Sequence, residues 1–165
     1  MSANDLAFTP AQELQRLIAS KQLSPVDLTK VYLSRIDALD SRLNAYLTVT
    51  ADEAILAAKA AEEAVLRGNH LGPLHGVPIS IKDLEMTKGV RTTSGSLVFR
   101  DRIPDEDSII AERVKAAGAI VLGKTNTPEF GLLGHTENRL GDHCRNPWNT
   151  ERTTGGSSGG AGAAV

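Results

Sequence analysis

Apolar positions in the first third of the chain recur at helical spacing. Leu14, Leu17 and Ile18 form one stripe, and Leu28, Tyr32, Ile36 and Leu39 form a second. Thr9-Pro10 with Gln12 reads as the start of the first helix, a T-x-x-Q capping box with proline at the first helical position. Ser24-Pro25, followed by Asp27, starts the second in the same way. Ala45 to Val49 reads as a short strand. Thr50 and Glu53 form another capping box, opening an alanine-rich helix that should end near Gly68. None of these helices carries obvious chemistry.

The pattern then changes. Leu71 to Pro78 (LGPLHGVP) reads as loop and Ile79 to Lys82 as a short strand, followed by the irregular stretch KDLEMTKGVRTTSGS. Asp107 or Ser108 starts a helix in which Ile110, Val114 and Ala117 align, with Gly118 at its C-terminal end. Ala119 to Leu122 is an apolar run suited to a buried parallel strand. Strand, helix and strand suggest a β-α-β unit with a right-handed crossover. Thr127-Pro128 caps a further short helix. From Gly134 to Gly160 the chain reads as loop, with Asn146-Pro147-Trp148 inside it.

Composition narrows the function. A chain of 165 residues suits one domain with a real core. With 18 basic and 20 acidic residues its net charge is −2, which excludes a generic basic nucleic-acid footprint. No nucleic-acid partner is expected, and no membrane partner, because no apolar run approaches a membrane span. The N-terminus lacks the basic region of a secretory signal, and the single cysteine fits a reducing compartment, so a cytoplasmic location is expected. His70, His75, His135 and His143 match neither H-E-x-x-H nor a two-cysteine zinc pattern. They read as loop histidines, and neither a metal nor a cofactor is expected.

Three features could carry chemistry. The first is the loop TTGGSSGG, Thr153 to Gly160. It lacks the Lys-Ser or Lys-Thr of a P-loop, and Val165 stands where a dinucleotide fingerprint needs Gly or Ala. It matches G-x-S-x-G at Ser157 and at Ser158, but Asn149 to Thr154 is too polar for the strand that precedes a nucleophile elbow. Serine chemistry and a flexible Gly/Ser linker both stay open. The chain's last segment reads as a loop entering a helix that is not completed.

The second feature is Lys82. It shares one strand face with Ser80, while Ile79 and Ile81 share the other. It is either a snorkelling strand terminus or a desolvated amine, neutral near pH 7. No lysine has a serine three positions before it, which excludes a class A β-lactamase arrangement. The third is Cys144, read as a nucleophile served by Lys124 and by Glu129 or Glu137, in the manner of nitrilase-type hydrolases, or as a small buried thiol.

Six segments occur in a telling order: Gly72 to Asp83 (GPLHGVPISIKD), Thr92 to Ser96 (TTSGS), Ala117 to Asn126 (AGAIVLGKTN), Glu129-Phe130, Asn146 to Trp148, and Gly155 to Gly160 (GGSSGG). In this order they resemble the amidase signature family, over about residues 70 to 165. The resemblance implies a partial α/β/α fold, a mixed sheet flanked by helices, with residues 1–68 mostly helical and 69–165 starting the catalytic core of one amidase domain. It implies hydrolysis of a small-molecule carboxamide by a Ser–cis-Ser–Lys triad. Lys82 matches the lysine and Ser157 the cis-serine, with Ser158, Gly155, Gly156, Gly159 and Gly160 in support. The acylated serine falls beyond Val165, so the 165-residue chain is expected to be inactive. It is also expected to be marginally stable, with Ala119 to Leu122 losing a strand neighbour. The A-subunit of aminoacyl-tRNA amidotransferases belongs to the same family, but usually reads D-E-F-A-M-G where Pro128 to Leu133 stands here. A stand-alone amide hydrolase is therefore favoured. A non-catalytic interaction remnant and a homodimer of the full-length parent stay open.

Overall fold

The computed structural model describes residues 3–69 and 72–165. The readings made for His70 and Leu71 lie outside them. Two compact units emerge, one built from Met1–Ile36, Thr50–Ile79 and Glu112–Leu122, the other from Asp37–Val49, Ser80–Ala111 and Gly123–Val165. The helices are α1 (Ala3–Ala7), α2 (Ala11–Ala19), α3 (Pro25–Leu43), α4 (Ala51–Arg67), α5 (Ile109–Ala116) and α6 (Gly159–Ala164). The strands are β1 (Tyr46–Val49), β2 (Pro78–Lys82), β3 (Ile120–Thr125), β4 (Arg145–Asn146) and β5 (Asn149–Thr153). The result is a mixed α/β architecture.

In the first unit the stripe Leu14, Leu17 and Ile18 is buried as its spacing dictates. Leu14 and Ile18 join Leu6, Leu28 and Val65 in one cluster. Val26, Ala54, Ala58, Ala61, Ile120 and Leu122 form another. Of the three caps expected in this unit, only Ser24 acts as one: its hydroxyl accepts from the amides of Val26 and Asp27 at 3.1 and 3.2 Å. Thr9 instead donates to the Asp5 carbonyl at 2.7 Å, and Thr50 to the Val121 carbonyl at 3.0 Å. Neither caps a helix through its side chain: Pro10 rather than Thr9 stands at the cap position of α2, and no amide of α4 donates to the Thr50 hydroxyl. Gly68 closes α4 in the left-handed conformation. His75 shares a hydrogen bond with the Ala61 carbonyl at 2.9 Å.

The main sheet has the order β1-β3-β2. β1 runs antiparallel to β3, with Tyr46 opposite Thr125 and Thr48 opposite Lys124. Ile120 N bonds Val77 O at one end of the β2–β3 pair and Asp83 N bonds Thr125 O at the other, a parallel register. This corrects the expectation that Ala119 to Leu122 is a bared strand. β3 is the central strand, because β1 returns onto one side of it while the β2-α5-β3 crossover fills the other. Helix α5 also buries a different face from the one its periodicity suggests: Ala111 is inaccessible, whereas Ile110 is 55% exposed.

In the second unit, the stretch expected to be all loop contains a hairpin. β4 pairs antiparallel with β5, around Asn146 opposite Asn149. The polarity of residues 149–153 rules out a core strand, and four of these five residues are indeed exposed. Two short 3₁₀ turns occur at Leu97–Phe99 and Glu129–Gly131, and the chain enters α6 after Ser158. Ala45, Cys144 and Ala163 form a small core here.

Candidate active site

Strand β2 ends at Lys82, and alternation turns Ile81, which is 3% exposed, away from the face that carries Ser80 and Lys82. On that face Ser80 Oγ lies 2.7 Å from the Tyr46 hydroxyl. Burial pushes the Tyr46 phenol up, so it stays protonated at neutral pH. Lys82 Nζ lies 2.8 Å from Ser157 Oγ and 3.0 Å from Ser158 Oγ. An amine and two hydroxyls separated by about 75 residues of chain are thus direct neighbours. Burial moves the Lys82 amine below the ordinary lysine value, opposed by the charge of Glu85.

The serine loop is held through its backbone. Thr136 Oγ1 accepts from Gly159 N at 3.1 Å and donates to Gly155 O at 2.8 Å, bracketing the loop from both sides. Thr127 Oγ1 donates to Ser157 O at 3.1 Å, and Gly160 N donates to Asn126 O. The Gly156–Ser157 peptide bond is cis. Gly160 is needed for close approach, since a Cβ there would overlap the Asn126 amide nitrogen and stand 2.6 Å from Ala45 O. Asn126 is itself fixed, donating to Asn44 O and accepting from Asn138, both at 2.8 Å.

The sequence reading named Lys82, Ser157, Ser158 and the four loop glycines, and the fold brings these together. It did not name Thr127, Thr136 or Asn126 as site residues, each at most 1% exposed. The available signal was the polar run Thr125-Asn126-Thr127 directly after an apolar strand, where solvated loop is the usual expectation. The thiol alternative does not assemble. Cys144 is inaccessible, with its thiol pushed up by burial. Lys124 Nζ is turned to Glu85, Thr87 and Thr92, Glu129 accepts from Ser96, and Glu137 pairs with His135.

A cleft of about 360 Å³ is lined by Glu129, Leu133, Glu137, Asn138, Arg139 and His143 among others. Its size suits a small ligand, but Lys82, Ser157 and Ser158 do not line it, and the chemistry follows those three. Among the described residues no cluster of three or more His, Cys, Asp or Glu side chains is arranged to hold a metal. No described helix is long and apolar enough to cross a membrane.

Residues 27–165 match the model of the amidase family. The A-subunit of the glutamyl-tRNA(Gln) amidotransferase of Anaeromyxobacter dehalogenans (strain 2CP-C) is 45% identical over 165 residues, covering 95% of this chain and 34% of that protein. The A-subunit of the same-named enzyme of Moorella thermoacetica (strain ATCC 39073 / JCM 9320) is 46% identical over 161 residues, covering 98% and 33%. The solved structure of a bacterial aryl acylamidase of the amidase signature enzymes superposes with a TM-score of 0.91 at 33% identity, covering 96% of this chain and 33% of that one. The chain spans about a third of the length of these relatives.

Proposed function

The chain belongs to the amidase signature family, and on that premise we propose that it supplies the base and the proton relay for cleavage of a small-molecule carboxamide. The observation that carries this reading is the Lys82–Ser157 contact of 2.8 Å, with a lysine held below its ordinary pKa. A serine hydroxyl is a weak nucleophile and needs a base. In the proposed reaction a third serine, which the resemblance puts beyond residue 165, attacks the carboxamide carbon. Its proton passes to Ser157 Oγ while the Ser157 proton passes to the neutral Lys82 amine. The tetrahedral adduct then collapses, the C–N bond breaks, and the proton returns through Ser157 to the departing ammonia or amine. Water cleaves the acyl-serine by the same relay, leaving a carboxylate.

The test is turnover of simple aryl and aliphatic amides by the protein carrying that third serine. Ser157→Ala and Lys82→Met should each lower the rate by roughly a thousandfold or more, and the double variant should be little worse than either, as expected for groups acting as one relay. Full activity in either single variant sinks the proposal.

A second reading is supported by the names of the curated relatives, both amidotransferase A-subunits. The same cleavage would then release ammonia for transfer to glutamyl-tRNA(Gln), with partner subunits required. The two readings separate in one assay. A stand-alone hydrolase turns over amides by itself, whereas an amidotransferase component converts glutamyl-tRNA(Gln) to its amide, with glutamine as the ammonia donor, only with its partners present.

A further inference from the structure

Lys124 lies on β3, fully buried. Its Nζ faces the Glu85 carbonyl, Thr87 Oγ1 at 2.9 Å and Thr92 Oγ1 at 2.8 Å. A hydroxyl has one proton to give. Thr87 Oγ1 already gives its own to Glu85 O at 3.1 Å, and Thr92 Oγ1 to Val90 O at 3.0 Å. Both hydroxyls, like the carbonyl, can therefore only accept from Nζ. Three acceptors need three protons on that nitrogen, so Lys124 is an ammonium. Asp83, also fully buried, supplies opposite charge, its Oδ2 accepting from the amide and the hydroxyl of Thr93. Burial pushes the Asp83 carboxyl up, while Thr93 and the Lys124 charge act against that rise.

The segment that Lys124 grips leads to the site. Ser94 N donates to Asp83 O at 3.0 Å, Phe130 N donates to Ser94 O at 2.8 Å, and Ser96 Oγ donates to Glu129 at 2.6 Å. Leu84 lies against Gly131: a Cβ built on that glycine would stand 2.7 Å from Leu84 Cδ1 and 3.8 Å from Ser157 Oγ. We propose that Lys124 is a positioning residue, a fixed ammonium that clamps the Glu85–Thr92 segment and so holds the Leu84–Gly131 wall beside Ser157. This deepens the reading of Lys82 and Ser157 as the active site and rests on it, but the clamp can be measured without turnover.

The experiment uses the full chain, ¹⁵N-labelled. Proton-coupled spectra of the Lys124 side chain at neutral pH should show a three-proton nitrogen. Thr92→Val, which keeps the shape and deletes the acceptor, should speed amide exchange at Glu85, Val90, Ser94 and Ser96 by about tenfold or more, the loss of one charge-assisted hydrogen bond. Thr92→Ser should restore protection, and the α4 amides of Ala54 and Ala58 should be unmoved in both, showing that the fold survives. Lys82 should react faster with an amine-acylating reagent in Thr92→Val than in Thr92→Ser. A two-proton nitrogen at Lys124, or equal exchange in the two variants, overturns the clamp. Equal Lys82 reactivity overturns its link to the site. Should Ser157→Ala and Lys82→Met leave turnover intact while the clamp holds, the site reading alone falls.

Discussion

Replacing Gly160 by alanine should destabilise the chain, although it adds a better helix former to α6. The helical gain is up to about 1 kcal/mol. Against it stands the geometry of the contact. The new methyl would overlap Asn126 N and sit 2.6 Å from both Asn126 O and Ala45 O. All three are backbone atoms, so no rotamer change relieves the overlap. The helix must lift, which loses the Gly160 N to Asn126 O hydrogen bond of 3.1 Å. That bond is worth about 0.5–1.5 kcal/mol net, and overpacking adds about 1–3 kcal/mol. The balance is a loss of about 0.5–3.5 kcal/mol after the helical gain is subtracted. Gly162 is the internal control. It lies in the same helix, is exposed, and has nothing within 4 Å of a built Cβ. Gly162→Ala should therefore stabilise by up to about 1 kcal/mol. Urea unfolding of both variants, followed by circular dichroism, reads the two signs directly. Midpoints that move in the same direction, or a Gly160→Ala midpoint equal to that of the parent, would refute the reasoning that α6 is seated on Asn126.

Two further outcomes follow from the ionisable groups. Lys82 is held below its ordinary value of 10.5, so at pH values between its folded and unfolded pKa the unfolded chain binds more protons. Stability should rise with pH through that window, and urea midpoints of Lys82→Met should lack this increment; an unchanged pH slope would show that Lys82 is not desolvated. Cys144 is inaccessible and its thiol is pushed up, so iodoacetamide should label the native chain at least roughly a hundredfold more slowly than the urea-unfolded chain. Comparable rates would place the thiol at the surface and reopen its candidacy as a nucleophile.

What the sequence made legible was whatever is decided by neighbours along the chain. The buried stripe of α2, the cap at Ser24, the end of α4 at Gly68 and the strand ending at Lys82 all rest on spacings of a few residues. The failures at Thr9 and Thr50 carry the same local pattern as Ser24. Ser24 also donates its proton, to Glu62, and still caps, so the difference lies in the backbone at the helix start, where Pro10 rather than Thr9 precedes α2. Thr50 finds Val121, 71 residues away, and no local rule contains that carbonyl. Helix α5 was misphased for a related reason: Ile109, Ile110 and Ala111 are consecutive apolar residues, and periodicity cannot say which of them meets a neighbour. At the site, the order of the motifs brought Lys82 and Ser157 together. Thr136 could not be found that way. A threonine between a glutamate and a histidine in a loop has no signature, and its role exists only because the loop folds back to Gly155 and Gly159.

Two lysines of the second unit, Lys82 and Lys124, show why residue type alone could not assign chemistry. Both are strand residues, and both were candidates for a base. Lys82 meets Ser157 and Ser158, and neither hydroxyl is seen to give its proton to another acceptor among the described residues. Either hydroxyl can donate to a neutral amine, so the contact survives loss of the lysine proton, and a relay can run through it in both directions. Lys124 meets two hydroxyls as well, but Glu85 O and Val90 O have already taken their protons. Deprotonating Lys124 would leave a lone pair facing three acceptors in a site sealed from water, a cost that burial enlarges. A base must be able to exist without its proton. Burial by itself favours the neutral amine at both positions, so the decisive difference is the direction of the surrounding hydrogen bonds. On that criterion the hydrogen bonds around Lys82 fit the base proposed for it and those around Lys124 fit the proposed clamp, even though Lys124 is the more deeply buried of the two.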